Sequence, residues 1–353
     1  MYMEIGKILE SIMRNNNIVG TISSVIVIIG AGFFFTKKKV IPSNCAGSLS
    51  KVILNLAIPT LSYNAFMQDI DSRKLEQSLS ILVWGIVIHL VLIFLTKIFY
   101  KNYSGDRNDV LRMMTIFGST TVFGIPVIQA VYGDTGAMYA SVFNIPYRAL
   151  LYTYGYMTIA GVKLKKENMG KIISNPIIVA TFLGMFVWMF QNYFFQVSVI
   201  EGDIIRKYAF LRIDKTAYWL FKPMQYLASL NAPLSWLSIG ITLAGVSFND
   251  ILKSKISWGY SVIKVVVIPV FLVALYTVMN MTGLVTTSYI ALATIVLMMA
   301  TPAATVIATY TIHFNKEPVL TSSCSLMSSI FSVAMIPFLI ITIEILKSMG
   351  IFS

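Results

Sequence analysis

The stretch Phe117-Gly118-Ser119-Thr120-Thr121-Val122-Phe123-Gly124-Ile125-Pro126 places a proline behind glycines and hydroxyl side chains within an apolar segment. Late in the chain, Met298-Met299-Ala300-Thr301-Pro302-Ala303-Ala304-Thr305 likewise places a proline among small and hydroxyl side chains. Proline removes a backbone donor and clashes with the carbonyl four residues earlier. In hydrocarbon, the freed groups must be satisfied by protein or by a water-lined cavity. The two stretches therefore predict two broken membrane helices.

The composition is that of a membrane protein. The chain has 353 residues, of which 57% are hydrophobic and only 12% are charged, whereas soluble domains carry about 25% charged residues. The net charge of +12 comes from Lys and Arg between apolar runs, as membrane orientation requires, and it does not indicate a nucleic acid partner. Cys45 and Cys324 show no metal or disulfide spacing. We expect no metal and no cofactor.

Ten apolar segments approach the length of about 20 residues that spans a bilayer. They are 18–35, 49–67, 78–100, 113–132, 137–162, 175–198, 223–247, 257–280, 285–312 and 321–346. The broken segments are the fourth of five in each half. Because five is odd, the second half must be inverted in the membrane. We therefore predict an all-α polytopic protein of two inverted five-helix repeats, 1–163 and 164–353, which places a substrate site between them.

The charged stretch 199–222 interrupts the second repeat. We predict a surface loop or a short amphipathic helix there. Lys and Arg are more frequent in the loops after the odd-numbered segments. That side should be cytoplasmic, so we predict a multi-pass protein of the plasma membrane with both termini extracytoplasmic.

The predicted membrane interior is basic. Of the acidic residues, only Glu344 falls inside a predicted span. Three basic residues, Arg148, Lys264 and His89, fall inside predicted spans. Cation and proton antiporters normally need buried carboxylates, and buried charges are usually functional. A basic interior therefore favours an anionic substrate.

Each of the three basic residues has a second interpretation. Arg148 either binds substrate or satisfies carbonyls freed by a proline. Lys264 either serves substrate or ion coupling or extends to the cytoplasmic interface. His89 either carries a coupling proton or stays neutral, bound to a carbonyl. We list Lys264 and His89 as coupling candidates.

The small polar groups around the two breaks are further candidates for substrate contact. Helix N-termini bind anions through free N–H groups and the helix dipole, although Ser and Thr also serve as ordinary packing contacts between membrane helices. The predicted substrate-binding set is Arg148, Asn144, Ser119, Thr120, Thr121, Ile125, Pro126, Val127, Thr301, Pro302, Ala303 and Thr305.

Three short motifs carry a family resemblance. They are the spacing from Asn55 to Pro59, the Phe123-Gly124-Ile125-Pro126 stretch followed by Gly133-Asp134-Thr135-Gly136, and Ala300-Thr301-Pro302. At these residues the chain resembles bacterial members of the auxin efflux carrier family, which export auxin in plants and move malate or malonate in bacteria. The resemblance implies a sodium/proton antiporter-like fold in which broken helices four and nine cross. It also implies a scaffold of helices one, two, six and seven, a moving domain of the other six, and a homodimer.

These observations predict a secondary transporter that moves a small organic acid, either a dicarboxylate or an auxin-like acid, by alternating access. The sequence has no Gly-x-x-x-x-Gly-Lys-Ser/Thr loop, so ATP is not the direct driver. The alternative is a membrane sensor or receptor with the same fold that binds its ligand without moving it. An enzyme is not expected, because His89 and His313 are the only histidines and the broken segments lack carboxylates.

Overall fold

The structure is a computed structural model that describes residues 16–70, 72–161, 174–202, 204–245, 254–284 and 287–352. The predicted helical class is confirmed. Five helices are long and apolar enough to cross a membrane, namely Cys45–Asn64, Ser72–Phe99, Tyr218–Ala244, Lys255–Met281 and Pro318–Ser348. Three shorter apolar helices accompany them in the described part of the chain, at Ser23–Lys37, Pro176–Phe190 and Tyr289–Met299. The predicted boundary between the two repeats, at 163 and 164, lies outside the described residues.

Thirteen helices and two strands are numbered here within the described residues. They are α1 Asn16–Lys37, α2 Cys45–Asn64, α3 Ser72–Phe99, α4 Gly105–Ile116, α5 Ile125–Leu150, α6 Tyr156–Ala160, α7 Pro176–Phe190, β1 Gln196–Glu201, β2 Ile204–Ala209, α8 Ile213–Thr216, α9 Tyr218–Ala244, α10 Lys255–Met281, α11 Tyr289–Met299, α12 Thr305–His313 and α13 Pro318–Ser348.

Wide helical turns accommodate three of the prolines. The π-turns Ile53–Ala57, Thr120–Gly124 and Ile263–Val267 each end two residues before a proline, at Pro59, Pro126 and Pro269. A proline ring clashes with the carbonyl four residues earlier, and in each case that carbonyl belongs to the wide turn. The extra residue of a π-turn relieves this clash. Helices α2 and α10 therefore run through their prolines.

The two predicted broken segments are each divided into two helices. Between α4 and α5 the break lies at 117–119, upstream of Pro126, and between α11 and α12 it lies at 300–304. Helix α5 consists of two helical stretches that meet at a kink at Gly133, where φ is 61°. The kink lies where the sequence separates predicted segments four and five. Glycine adopts this backbone conformation without steric cost.

The stretch 199–222 differs from its prediction. It is neither a surface loop nor an amphipathic helix but the greater part of a β-hairpin, followed by α8 and the start of α9. The predicted sixth span, 175–198, accordingly ends as a helix at Phe190. Val, Ile and Tyr are frequent in β1 and β2, and such residues favour strands. The all-α prediction is therefore wrong at this hairpin.

The helices pack in two groups. In the first, the four-helix group, α1 and α2 pack against α9, and α2 also packs against α7. In the second, the eight-helix group (α3–α6 and α10–α13), α5 packs against α3 and α11, and α13 packs against α10, α11 and α12. Helix α5 also contacts α1, α2 and α9, so it lies at the boundary between the groups.

Small residues bring α1 and α9 together. A Cβ added at Gly32 would lie 3.2 Å from the Cα of Gly240, and one added at Gly240 would collide with the backbone oxygen of Ile29. Membrane helices pack closely where such small residues meet.

We predict that Gly240→Ala lowers the melting temperature of the purified protein, because overpacking costs about 1–3 kcal/mol. Gly259→Ala in α10 is the matched control, since nothing lies within 4 Å of the added Cβ, and alanine favours the helix by about 0.5–1 kcal/mol. Thermal unfolding in one detergent compares the two variants. Equal melting temperatures would contradict the close approach of α1 and α9.

Candidate functional site

The two helix breaks hydrogen-bond directly to each other. The Ser119 N–H donates to the Pro302 carbonyl oxygen at 2.7 Å, and the Ala304 N–H donates to the Phe117 carbonyl oxygen at 3.0 Å. These bonds pair Gly118 with Ala303 in an antiparallel bridge. Each break thus satisfies backbone groups of the other, as a low-dielectric interior requires. We call residues 117–119 and 302–304 the crossing.

Side chains satisfy further backbone groups at the crossing. The Tyr147 hydroxyl donates to the Gly118 carbonyl oxygen at 2.5 Å. The Ser332 hydroxyl donates to the Ala300 carbonyl oxygen at 2.8 Å, and Ser328 Oγ accepts from the Ala303 N–H at 3.2 Å. Three of these residues, Tyr147, Ser328 and Ser332, are absent from the site predicted from the sequence. The four-residue spacing of the two serines places them on one face of α13, which was the available signal.

Four of the predicted site residues meet beside the crossing. The buried Arg148 donates from Nη2 to Thr121 Oγ1 at 2.7 Å. One turn earlier on α5, Asn144 Oδ1 accepts from Thr120 Oγ1 at 2.7 Å. Arg148 Nε and Asn144 Nδ2 have no hydrogen-bond partner among the described residues. This cluster therefore retains buried donors that an oxygen-rich ligand can satisfy.

A cavity of about 220 Å³ opens beside this cluster, between the two helix groups. Leu54, Asn55 and Ile177 line it from the four-helix group. The eight-helix side contributes the crossing, Arg148 and a mixture of hydroxyl and apolar side chains: Ser119, Thr120, Thr121, Val122, Tyr147, Leu151, Tyr152, Ala304 and Val306. Among the described residues that line the cavity, Arg148 is the charged one. Its guanidinium therefore makes the cavity electropositive.

A second cavity, of about 340 Å³, shares Ser119 and Val122 with the first. Pro302 and Ala303 border it at the crossing. Its remaining polar lining consists of hydroxyl groups, contributed by Ser50, Ser238, Thr242, Ser322, Ser325 and Ser329. Ser119 thus borders both an electropositive cavity and an uncharged, hydroxyl-lined one.

Lys264 is fully buried in the π-turn of α10. Its Nζ lies 3.2 Å from the position that a Cβ on Gly118 would occupy, and it has no hydrogen-bond partner among the described residues. The interpretation in which Lys264 extends to the membrane surface is therefore wrong. The ammonium group instead lies at the crossing.

His89 is also buried close to the crossing, with its ring against Phe117, Phe143 and Tyr147. Its Nδ1 lies 2.6 Å from the Gly85 carbonyl oxygen. A carbonyl only accepts, so Nδ1 carries a proton, and in neutral imidazole Nε2 is then an acceptor. Nε2 has no partner among the described residues. This geometry fits the neutral, carbonyl-bound histidine of the sequence analysis.

Other predicted site residues lie elsewhere. Ile125, Pro126 and Val127 are buried in the first turn of α5 and line neither cavity. Thr301 is buried at the crossing, where its hydroxyl donates to the Met298 carbonyl oxygen at 2.7 Å. Thr305 begins α12, and its side chain lies outside the described part of the structure.

No acidic cluster accompanies these groups in the described parts of the chain. Three or more His, Cys, Asp or Glu side chains that could hold a metal ion are not found together there. Glu344 lies 3.4 Å from Lys347 near the end of α13. The site is thus built from cations, hydroxyls and backbone amides, a donor set that suits an anion.

Comparisons with known proteins indicate a membrane transport protein. Residues 17–170 match the family model described as membrane transport protein. An uncharacterized transporter from Methanocaldococcus jannaschii is 20% identical over 275 residues, which cover 74% of this chain and 79% of that protein. The predicted resemblance to the auxin efflux carrier-like membrane transport family is confirmed by the family match.

We predict that Gly118→Ala destabilises the crossing. The added methyl group would collide with Thr301 Oγ1 and would lie 3.3 Å from the Pro302 carbonyl oxygen, so the expected cost is about 1–3 kcal/mol. The double variant Gly118→Ala/Thr301→Ala should recover part of the lost melting temperature. Gly30→Ala is the control, because its Cβ would meet nothing within 4 Å. A Gly118→Ala variant as stable as Gly30→Ala would contradict the crossing geometry.

Proposed function

We propose that this protein is a secondary transporter that moves a small organic anion, a dicarboxylate or an auxin-like acid, across the plasma membrane by alternating access. The observation that carries the proposal is Arg148. It is a buried cation that bonds to a hydroxyl group, and its cavity has no acidic residue among the described lining. A guanidinium binds a carboxylate through two parallel hydrogen bonds, so an organic acid supplies the missing counter-charge.

The position of the cavity supports alternating access. Its walls come from both helix groups, so a displacement of the eight-helix group against α1, α2, α7 and α9 changes which side the cavity faces. The second cavity shares Ser119 and is free of charged side chains among its described lining. In the proposed cycle, the anion binds at Arg148 and passes the crossing during that displacement.

The proposed architecture has ten spans in two inverted five-helix repeats, 1–163 and 164–353. Its support is the antiparallel pairing of the two breaks and the helix grouping. The orientation, with both termini extracytoplasmic, is supported by the distribution of Lys and Arg. The homodimer is supported by the family resemblance.

We predict that Arg148→Gln raises the KM for substrate at least tenfold, because charge-assisted hydrogen bonds contribute about 1.5–3 kcal/mol. Arg148→Lys should rescue it only in part, since an ammonium lacks the planar donor pair. The assay is uptake of labelled malate into proteoliposomes under an imposed voltage, with malonate and indole acetate as competitors. Arg107→Gln is the control, because that exposed side chain pairs with Glu317 at the surface.

The same assay separates transport from sensing. An anion that leaves a negative interior gains about 2.3 kcal/mol per charge per 100 mV, so a carrier accumulates substrate when voltage is applied. Saturable binding of malate without accumulation would identify a receptor instead. If the Arg148→Gln variant takes up malate at the wild-type rate and with an unchanged KM, Arg148 is ruled out as the anion site.

Lys264 and His89 are the proposed coupling residues. Both lie close to the crossing. Lys264 Nζ is a buried donor and His89 Nε2 is a buried acceptor, and neither atom has a hydrogen-bond partner among the described residues. An unpaired ammonium in a low-dielectric interior is costly, and such buried charges usually have a function. A proton carried at Lys264 or His89 would link substrate movement to a pH gradient.

We predict that Lys264→Met raises the melting temperature while abolishing the dependence of uptake on a pH gradient. Methionine preserves much of the side-chain volume and removes the cost of the buried charge. Lys255→Met is the control, because Lys255 is exposed at the start of the same helix. Uptake that keeps its pH-gradient dependence in Lys264→Met and loses it in His89→Gln would assign coupling to the histidine alone.

A further inference from the structure

The β-hairpin presents two different faces. Ile200 pairs with Ile205 across the strands, and Ser198 pairs with Lys207. Because side chains alternate along a strand, these four residues share one face, which we call the outer face. Val199 and Glu201 lie on the opposite face, which we call the inner face.

The inner face is tied down by hydrogen bonds. Glu201 accepts from Lys215 Nζ at 2.5 Å and from the Tyr208 hydroxyl at 2.9 Å. These hydrogen bonds hold the pKa of Glu201 below its ordinary value, so its carboxylate stays ionised at neutral pH and keeps both bonds. On the inner face, Glu201 and Tyr208 are therefore committed to contacts within the protein, whereas Ile204 near the tip stays exposed.

The base of the hairpin is anchored by Arg212. This buried side chain donates to Asp69 at 2.9 Å, to Asp214 at 2.8 and 2.9 Å, and to Gln191 at 2.8 Å. The anchor joins the hairpin to the end of α7 and to the α2–α3 connection. The hairpin is thus held in one orientation, with its outer face turned away from these contacts.

Aromatic side chains connect the hairpin to the apolar surface of α7. The rings of Phe186 and Phe194 are 5.7 Å apart, and those of Phe194 and Phe210 are 6.2 Å apart. Phe186 is exposed on α7, and Tyr193 and Trp219 are about 80% exposed on either side of the hairpin. Exposed Trp and Tyr at the ends of apolar helices mark the membrane–water interface. The hairpin therefore begins at the level of the lipid headgroups.

The outer face itself combines apolar and cationic groups. Ile200 is 75% exposed and Ile205 is 68% exposed. Lys207 is exposed, and it makes no salt bridge with any residue that the structure describes. Apolar side chains next to a cation without an ion-pair partner are a composition that binds a lipid surface with anionic headgroups. Asp203, between β1 and β2 in the sequence, lies outside the described residues.

We propose that the outer face of the hairpin lies on the bilayer, with Ile200 and Ile205 inserted below the phosphates and Lys207 bound to an anionic lipid headgroup. A second copy packed symmetrically on this face would set Lys207 against the same lysine of that copy, whereas a lipid phosphate complements its charge. Since the hairpin joins α7 to α9, this contact holds two helices of the four-helix group at a fixed depth. The proposal stands independently of any substrate.

Nitroxide labels test the depth of each face. Ile200→Cys and Ile205→Cys report the outer face, and Val199→Cys is the matched inner-face control. The background is Cys45→Ala, because the remaining native Cys324 is fully buried. In nanodiscs of phosphatidylcholine and phosphatidylglycerol, collision rates with oxygen and with a water-soluble nickel chelate should place labels 200 and 205 about 5 Å below the phosphates. The label at 199 should lie above them.

Two further experiments use the same labels. Lys207→Gln should move label 205 toward water in nanodiscs with phosphatidylglycerol and leave it unchanged in phosphatidylcholine alone. An equal response in both lipids would overturn the role of Lys207. Nickel accessibility at positions 200 and 205 equal to that at 199 would overturn insertion. If the label at 200 shows spin–spin broadening that disappears on dilution with unlabelled protein, the outer face contacts a second copy of the chain and not the bilayer.

Discussion

The structure depends on two backbone hydrogen bonds, those that join Ser119 to Pro302 and Ala304 to Phe117. Each helix break leaves amides and carbonyls without helical partners, and hydrocarbon offers none. Pairing the breaks with each other solves both problems at once. It also joins the α4–α5 pair to the α11–α12 pair, next to which Arg148 and Lys264 are buried. Gly118 is required at this point because a Cβ would meet the opposite break.

The crossing gives the interior its electrostatic character. Arg148 and Lys264 are both buried near it, and the groups that surround them are hydroxyls, carbonyls and aromatic rings. Cations buried without carboxylates are costly, which a fold optimised only for stability would avoid. Arg148 borders a cavity, whereas Lys264 lies against the crossing itself. The two cations therefore suit different tasks, one in binding an anion and the other in coupling.

Departures from regular helix have separate physical causes. The π-turns before Pro59, Pro126 and Pro269 absorb the steric conflict of proline while the helix continues. The helices are interrupted at 117–119 and 300–304, where the backbone changes from helical to extended or irregular. The hairpin is a third kind of departure, held by Arg212 and its carboxylate partners. Pro126 therefore follows a wide turn and lies beyond its break, whereas Pro302 lies within its break.

The sequence by itself determined the helical membrane class, the approximate apolar segments, the two breaks and a basic interior, because these follow from composition, length and local backbone chemistry. It also predicted four site residues that lie together in the structure, namely Asn144, Arg148, Thr120 and Thr121. Only the tertiary structure decided that the breaks pair with each other, that Lys264 faces the crossing, and that Tyr147, Ser328 and Ser332 complete its hydrogen bonds. It also decided that 196–209 is a hairpin. The physical reason at the crossing is that its contacts join residues far apart in the chain, and local propensity carries no information about which distant group satisfies a freed carbonyl. The hairpin pairs residues close in sequence, but it is held in place by the distant contacts of Arg212 with Asp69 and Gln191.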